Sequence, residues 1–274
     1  MRNKSFPEPD RLSVLMAAIL LAYALARFIN LPPLVIPITL FGINLPFQVN
    51  FQTLVALVVA VMAASGSIWL ISDHPVFKTV AVGWRNTLQF WLLPALTAFL
   101  LSIPLNFVAT SPAWWVVFIV GAFLLVLVFI AEYAVVDVSD LRHPASTRLL
   151  IALSFALFLI LAIALRAAGL RLYLIVPAVV FTSGLVSLHT LYLRLDGRWL
   201  TSWAIGIALA VGQIAIGLHY WPLTPTRYGL VLLGLVYALT GLAAAIEDRQ
   251  PLRQALVEPI SVLGATWVIA LIIA

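Results

Sequence analysis

The chain has 274 residues, of which 64% are hydrophobic and only 9% charged, with a formal charge of +5. Soluble domains carry nearer a quarter charged residues, so a soluble fold is excluded. The absence of cysteine excludes disulfides and thiolate metal sites.

The apolar residues come in continuous blocks, as in "LLIALSFALFLILAIAL". Each block has about the 20 residues needed to cross a hydrocarbon core about 30 Å thick. A transmembrane β-barrel would alternate over segments of about ten residues instead. The expected fold is all-α, a polytopic bundle forming a single transmembrane domain over 1–274. The spans are placed near 11–29, 51–72, 88–108, 113–136, 148–167, 170–193, 199–219, 226–246 and 257–274. That makes nine, or eight if the last, which contains Glu258 and Pro259, is re-entrant. The first run is longer than a signal core and no small-residue cleavage site follows, so it reads as a retained span.

After the first span, residues 35–51 alternate apolar and other side chains from Ile43 to Phe51. Period two is a strand pattern, and Gly42 offers a turn, so a short extracytoplasmic β-hairpin is expected near 35–50. Its prolines restrict it to edge-like pairing. The second span carries "ASGSIWLISDHP", and "HPVFKTVAVGWRNTLQFW" over 74–91 reads as an interfacial helix turning into span three. A hairpin followed by "ASGSIWLISDHP", in a small chain lacking known catalytic motifs, resembles uncharacterised multi-pass bacterial membrane proteins. That resemblance covers the first third of the chain and implies no activity.

Orientation follows from basic residues in short loops. With the N-terminus inside, eleven Lys and Arg fall on the cytoplasmic side and four, Arg27, Arg166, Arg171 and Arg227, on the outer side. The expected location is a bacterial plasma membrane with a cytoplasmic N-terminus. Trp114, Trp115 and Trp221 then fall at outer ends of spans, where amphipathic rings meet headgroups.

The fourth span ends in "VFIAEYAVVDVSDLRHP". Glu132 lies about a turn inside the inner boundary, where a carboxylate needs a partner or water. Asp137 and Asp140, three apart, share one helical face. With His143 and Asp73 they form a candidate catalytic rim, able to hold a divalent cation or to move protons at a lipid-linked phosphate. The simpler reading is a set of solvated helix ends paired with Arg142, Arg148, Arg249 and Arg253. The aspartate-rich inner motifs of intramembrane prenyltransferases offer a similar outline, but their repeated DxxxD-type motif is absent.

The outer arginines Arg27, Arg166, Arg171 and Arg227 face no acid on their side. They are candidates for contact with anionic lipid phosphates. In span seven Gly206, Ala210, Gln213 and Gly217 fall on one face, as a packing seam or a pore lining. In span six Thr182, Ser183, Ser187 and Thr190 are expected to bond back to their own helix, and His189 reads as a structural histidine.

The residues therefore point first to a non-catalytic integral membrane protein: a scaffold, an accessory subunit or a lipid-binding component. A membrane enzyme at the inner face and a small-solute transporter are the alternatives. The expected partners are the bilayer, including anionic lipids, and other proteins or copies of the chain, with no nucleic acid. The sequence specifies no cofactor and no metal site.

Overall fold

The computed structural model describes residues 7–29, 31–32, 34–40, 43–72, 74, 84–137, 142–195 and 197–273. Among them, nine helices are long and apolar enough to cross a membrane. The helices are α1 (Pro9–Phe28), α2 (Phe51–Ile71), α3 (Trp84–Phe107), α4 (Ala113–Val135), α5 (His143–Ala167), α6 (Leu172–Arg194), α7 (Thr201–His219), α8 (Pro225–Glu247) and α9 (Leu252–Ile272). Large apolar side chains cover their outer surfaces, Phe123 and Phe181 each being 68% exposed. Such a surface is suited to lipid, where only structures that satisfy their own backbone, such as helices, can span. The contacts divide the chain into two compact units, Met1–Ser146 and Thr147–Ala274.

In the first unit α2 packs most extensively on α3. Its core joins Ile19 and Tyr23 of α1, Val59 and Ala63 of α2, Ala98 and Leu101 of α3, and Leu125 and Phe129 of α4. α1 and α2 approach closely at Gly66, where a β-carbon would lie 2.3 Å from a methyl of Leu15. Close approach through a small residue is how helices adhere when lipid is as apolar as they are. Between α1 and α2, strands β1 (Leu34–Leu40) and β2 (Ile43–Val49) pair antiparallel, Leu34 opposite Val49 and Leu40 opposite Ile43. The turn expected at Gly42 lies outside the described residues. So does half of the interfacial helix expected over 74–91; from Trp84 onward the backbone already belongs to α3, which continues through Pro94 and Pro104.

In the second unit the most extensive pairs are α8 with α9 and α6 with α7. α5 lies against α8, where Phe155 meets Tyr237 at 5.0 Å between ring centres. α8 opens as its sequence "TPTR" dictates. Thr224 is the N-cap and accepts a bond from the Arg227 N–H at 3.4 Å, while Pro225 fills the first position, where its missing donor costs nothing. α8 closes in a Schellman turn: the Gln250 N–H donates to the Ala245 carbonyl and the Arg249 N–H to the Ile246 carbonyl, each at 3.0 Å. Arg249 occupies the left-handed position with φ 55°. The last apolar stretch forms a full helix of 21 residues, α9, rather than a short re-entrant one.

Candidate functional site

Glu132 occupies the last turn of α4 and is only 2% exposed. The next residue, Tyr133, meets buried His74 edge-on at 4.8 Å between ring centres. Tyr133 packs with Ile71 at the end of α2 and Phe90 in α3, and Trp91 and Val136 border them. Glu132 is thus enclosed by the protein itself. Asp137 is half-buried just beyond α4, and Arg142 is exposed. His143, half-buried, opens α5, and its Nδ1 is buried with no hydrogen-bond partner among the described residues. Asp73 and Asp140 lie outside the described residues. No three His, Asp or Glu among the described residues are grouped so as to hold a metal ion.

The acids that end α8 are held differently from the simple expectation. Arg249 and Arg253 were the partners suggested by proximity in sequence. Instead Arg198 reaches both carboxylates, Glu247 at 3.6 Å and Asp248 at 3.7 Å, and the Trp203 indole N–H donates to Glu247 at 2.7 Å. Arg249 is committed to the left-handed turn, so its backbone serves the helix end.

The four arginines expected on the outer side do not share one role. Arg166, near the end of α5, donates to the carbonyls of His219 at 3.1 Å and Trp221 at 3.2 Å, and its Nη1 lies 3.3 Å from the His219 Nδ1. Its guanidinium also lies over the Tyr228 ring. Arg227 donates from Nε to the Ile273 carbonyl at 2.7 Å. Both therefore place a cation on carbonyls at or just beyond helix C-termini, the negative end of the dipole. Arg171 is exposed at the N-cap of α6. Arg27 lies in the first unit, its guanidinium 4.5 Å from the centre of the Trp114 ring and 5.5 Å from that of Trp115. Its Nη1 is buried and has no hydrogen-bond partner among the described residues.

Beside Arg27 is a cavity of about 50 Å³ at the end of the unit where α1 and α3 finish and α2 and α4 begin. Tyr23, Gln52, Ser102, Asn106 and Trp114 contribute to its wall. The Tyr23 hydroxyl donates to the Ala98 carbonyl, and the Ser102 hydroxyl to the Phe99 carbonyl at 2.7 Å. Sequence reasoning found Arg27 but not the cavity, because Gln52 and Asn106 are unremarkable residues until the fold brings four helix ends together.

The stripe Gly206, Ala210, Gln213 and Gly217 does not make the seam within the chain. Gly206, Gln213 and Gly217 are exposed, and a β-carbon at either glycine would meet nothing within 4 Å. The contact with α6 uses the adjacent face, through Ala208 opposite Gly184 and Gly212 opposite Val180. The hydroxyls of α6 also divide in function. Ser183 bonds back to the Val180 carbonyl at 3.1 Å, whereas Ser187 reaches Thr240 of α8 at 3.1 Å. His189 is buried in the same helix.

One polar group was missed. The Tyr237 hydroxyl donates to the Glu258 carboxylate at 2.6 Å, and Arg194 lies 4.0 Å from the same oxygen. An acid inside an apolar span predicts a partner. Which of several bases supplies it depends on helix rotation, which sequence does not reveal.

The family model described as "Protein of unknown function (DUF5656)" matches residues 31–273, so the chain belongs to that family. No curated protein and no solved structure matches the chain.

Proposed function

We propose that the chain is a non-catalytic integral membrane protein, with a role as scaffold, accessory subunit or lipid-binding component. Of these the lipid-binding role is the best supported. The observation that carries it is the contrast in how the charges are used. Arg166, Arg198 and Arg227 are committed to carbonyls or carboxylates of their own unit. Arg27 instead combines a buried Nη1, without a hydrogen-bond partner among the described residues, with a stack on two tryptophans. Such a group suits an anionic headgroup.

The proposed location is a bacterial plasma membrane; the basic-residue count supports a cytoplasmic N-terminus, which would leave the β1–β2 pair and Arg27 on the outer side. The second reading is an enzyme acting on a lipid-linked phosphate at the inner face. It is favoured by one observation, the burial of Glu132 next to the His74–Tyr133 contact. A transporter path through Gln213 has less support, since Gln213 is exposed rather than packed among the helices of its own unit.

The deciding experiment is a triple variant, Glu132→Gln with Asp137→Asn and Asp140→Asn, reconstituted beside the wild type with a lipid-linked phosphate. The expected outcome is normal expression, unchanged retention of anionic lipid and no turnover in either protein. Turnover by the wild type that the expressed variant has lost would overturn the proposal in favour of the enzyme.

A further inference from the structure

We infer that the cavity beside Arg27 is a binding site for a phosphate oxyanion, supplied by a lipid headgroup or by free phosphate. The inference rests on the lipid-binding reading above and assigns it to one place.

Four features converge there. The first is the Arg27 guanidinium, which lines the cavity and rests on Trp114 and Trp115; its Nη1, closed off from solvent, has no hydrogen-bond partner among the described residues. No carboxylate stands among the lining residues to offset this cation, so an anion entering the cavity meets a positive charge without a counter-charge in the cavity wall. The second is the start of α2. Its N-cap, Asn50, makes no side-chain cap bond, and the first-turn residue Gln52 lines the cavity. The Thr53 N–H bonds to the Asn50 carbonyl at 2.9 Å. The N–H groups of Phe51 and Gln52 precede the first such bond and belong to the orphan donors of a helix start. These carry the positive end of the dipole.

The third feature is chemical selectivity. The side-chain amides of Gln52 and Asn106 can donate, while Tyr23 and Ser102 already spend their protons on carbonyls of α3. None of the lining residues is acidic, so the local field favours negative charge. The fourth is position and size. Trp114 walls the cavity at the start of a span, the level at which tryptophan meets headgroups. The volume of about 50 Å³ is roughly three or four times what one water needs. That is room for the oxyanion and not for acyl chains, which would run along the exposed apolar surface. A guanidinium fork pairs with phosphate oxygens in two parallel bonds, whereas lysine offers a point charge.

The test uses the full chain in nanodiscs. In the first arm the discs mix phosphatidylglycerol with phosphatidylcholine, and lipid retained on the released protein is read by native mass spectrometry. The wild type is expected to retain phosphatidylglycerol selectively, and Arg27→Gln to lose about tenfold or more of that occupancy, the equivalent of one charge-assisted bond. Arg253→Gln, changing an exposed arginine outside the set of candidate lipid contacts, keeps it. In the second arm the discs contain only phosphatidylcholine and inorganic phosphate is added. A rise in melting midpoint that requires Arg27 identifies free phosphate as the source.

Equal retention by wild type and Arg27→Gln, with equal response to phosphate, overturns the site and leaves the lipid-binding reading standing. No lipid retention by the wild type, with an Arg27-dependent phosphate response, keeps the site and overturns that reading. Silence of the wild type in both arms overturns both. Asn106→Leu, at an exposed position that leaves the arginine–tryptophan stack in place, replaces Arg27→Gln if the latter does not fold. It is expected to lower occupancy in the same direction, and unchanged occupancy then counts against the site.

Discussion

Arg27 and Arg166 begin as the same residue in the same setting. Each lies in the last turn of an apolar helix, and each rests on an aromatic ring. They differ in what the neighbouring chain offers. Around Arg166 the chain leaves α7 with the carbonyls of His219 and Trp221 pointing at the guanidinium. Around Arg27 the neighbouring ends are the uncapped start of α2 and the start of α4, whose first amides are held by Ser111 and Pro112 and which supplies the indole rings. A cation beside C-terminal carbonyls is satisfied by its own protein. A cation beside N-terminal amides adds positive charge to positive charge, and only an outside anion completes it. Charge type alone therefore does not assign a role; the polarity of the adjacent helix ends does.

Removing each arginine tests that contrast at its largest expected effect. Arg166→Met gives up two charge-assisted bonds at about 1.5 kcal/mol or more each, so a loss of about 3 kcal/mol is expected. For a chain of this size that is roughly 6–12 °C in melting midpoint. Arg27→Met loses a ring contact of about 1 kcal/mol but also removes an unpaired buried donor. Its net change should stay within about 1 kcal/mol. Thermal unfolding of both in detergent, without added anion, checks the difference; equal losses would mean that Arg27 is as structural as Arg166.

How much of this was legible follows from what each feature depends on. The helical fold depends on blocks of apolar residues, and those are written in the chain without reference to anything distant. The count of residues past Trp115 gives Glu132 an expected depth in the membrane, but its burial against other helices depends on the rotation of α4, which the count does not fix. Partner choice was not legible either. Arg198 rather than Arg249 or Arg253 holds Glu247 and Asp248, a base about fifty residues earlier in the chain that only the packing of the second unit brings within reach. The cavity beside Arg27 draws on four helices separated by up to about ninety residues, and no local pattern marks it.

The two faces of α7 show the same limit and give the next prediction. Spacing by three and four grouped Gly206, Ala210, Gln213 and Gly217 correctly on one face, but it could not say which face meets α6. A methyl added at Gly212 would lie 2.4 Å from a Val180 methyl, while one added at Gly206 meets nothing. Gly212→Ala is therefore expected to cost about 1–3 kcal/mol through overpacking. Gly206→Ala should be neutral or gain up to about 1 kcal/mol from helix propensity. Melting midpoints of the two variants decide this, and a reversal of their order would place the working seam on the exposed stripe.

The smallest effect concerns the turn that takes Arg249 out of the ion-pair network. Its φ of 55° puts a residue with a β-carbon where glycine is usual, at the position after the α8 cap. That conformation costs a non-glycine residue about 1–2 kcal/mol, partly offset because glycine is more flexible when unfolded. Arg249→Gly should thus raise stability by about 0.5 kcal/mol, a shift of roughly 1–2 °C. The Arg198 contacts with Glu247 and Asp248 use other side chains and should survive. If the variant instead lost stability, the Arg249 side chain would be making a contact worth more than its backbone strain. The division of labour between Arg198 and Arg249 would then be wrong. A double variant with Arg198→Gln would detect that coupling directly, since independent roles give additive shifts and a shared one does not.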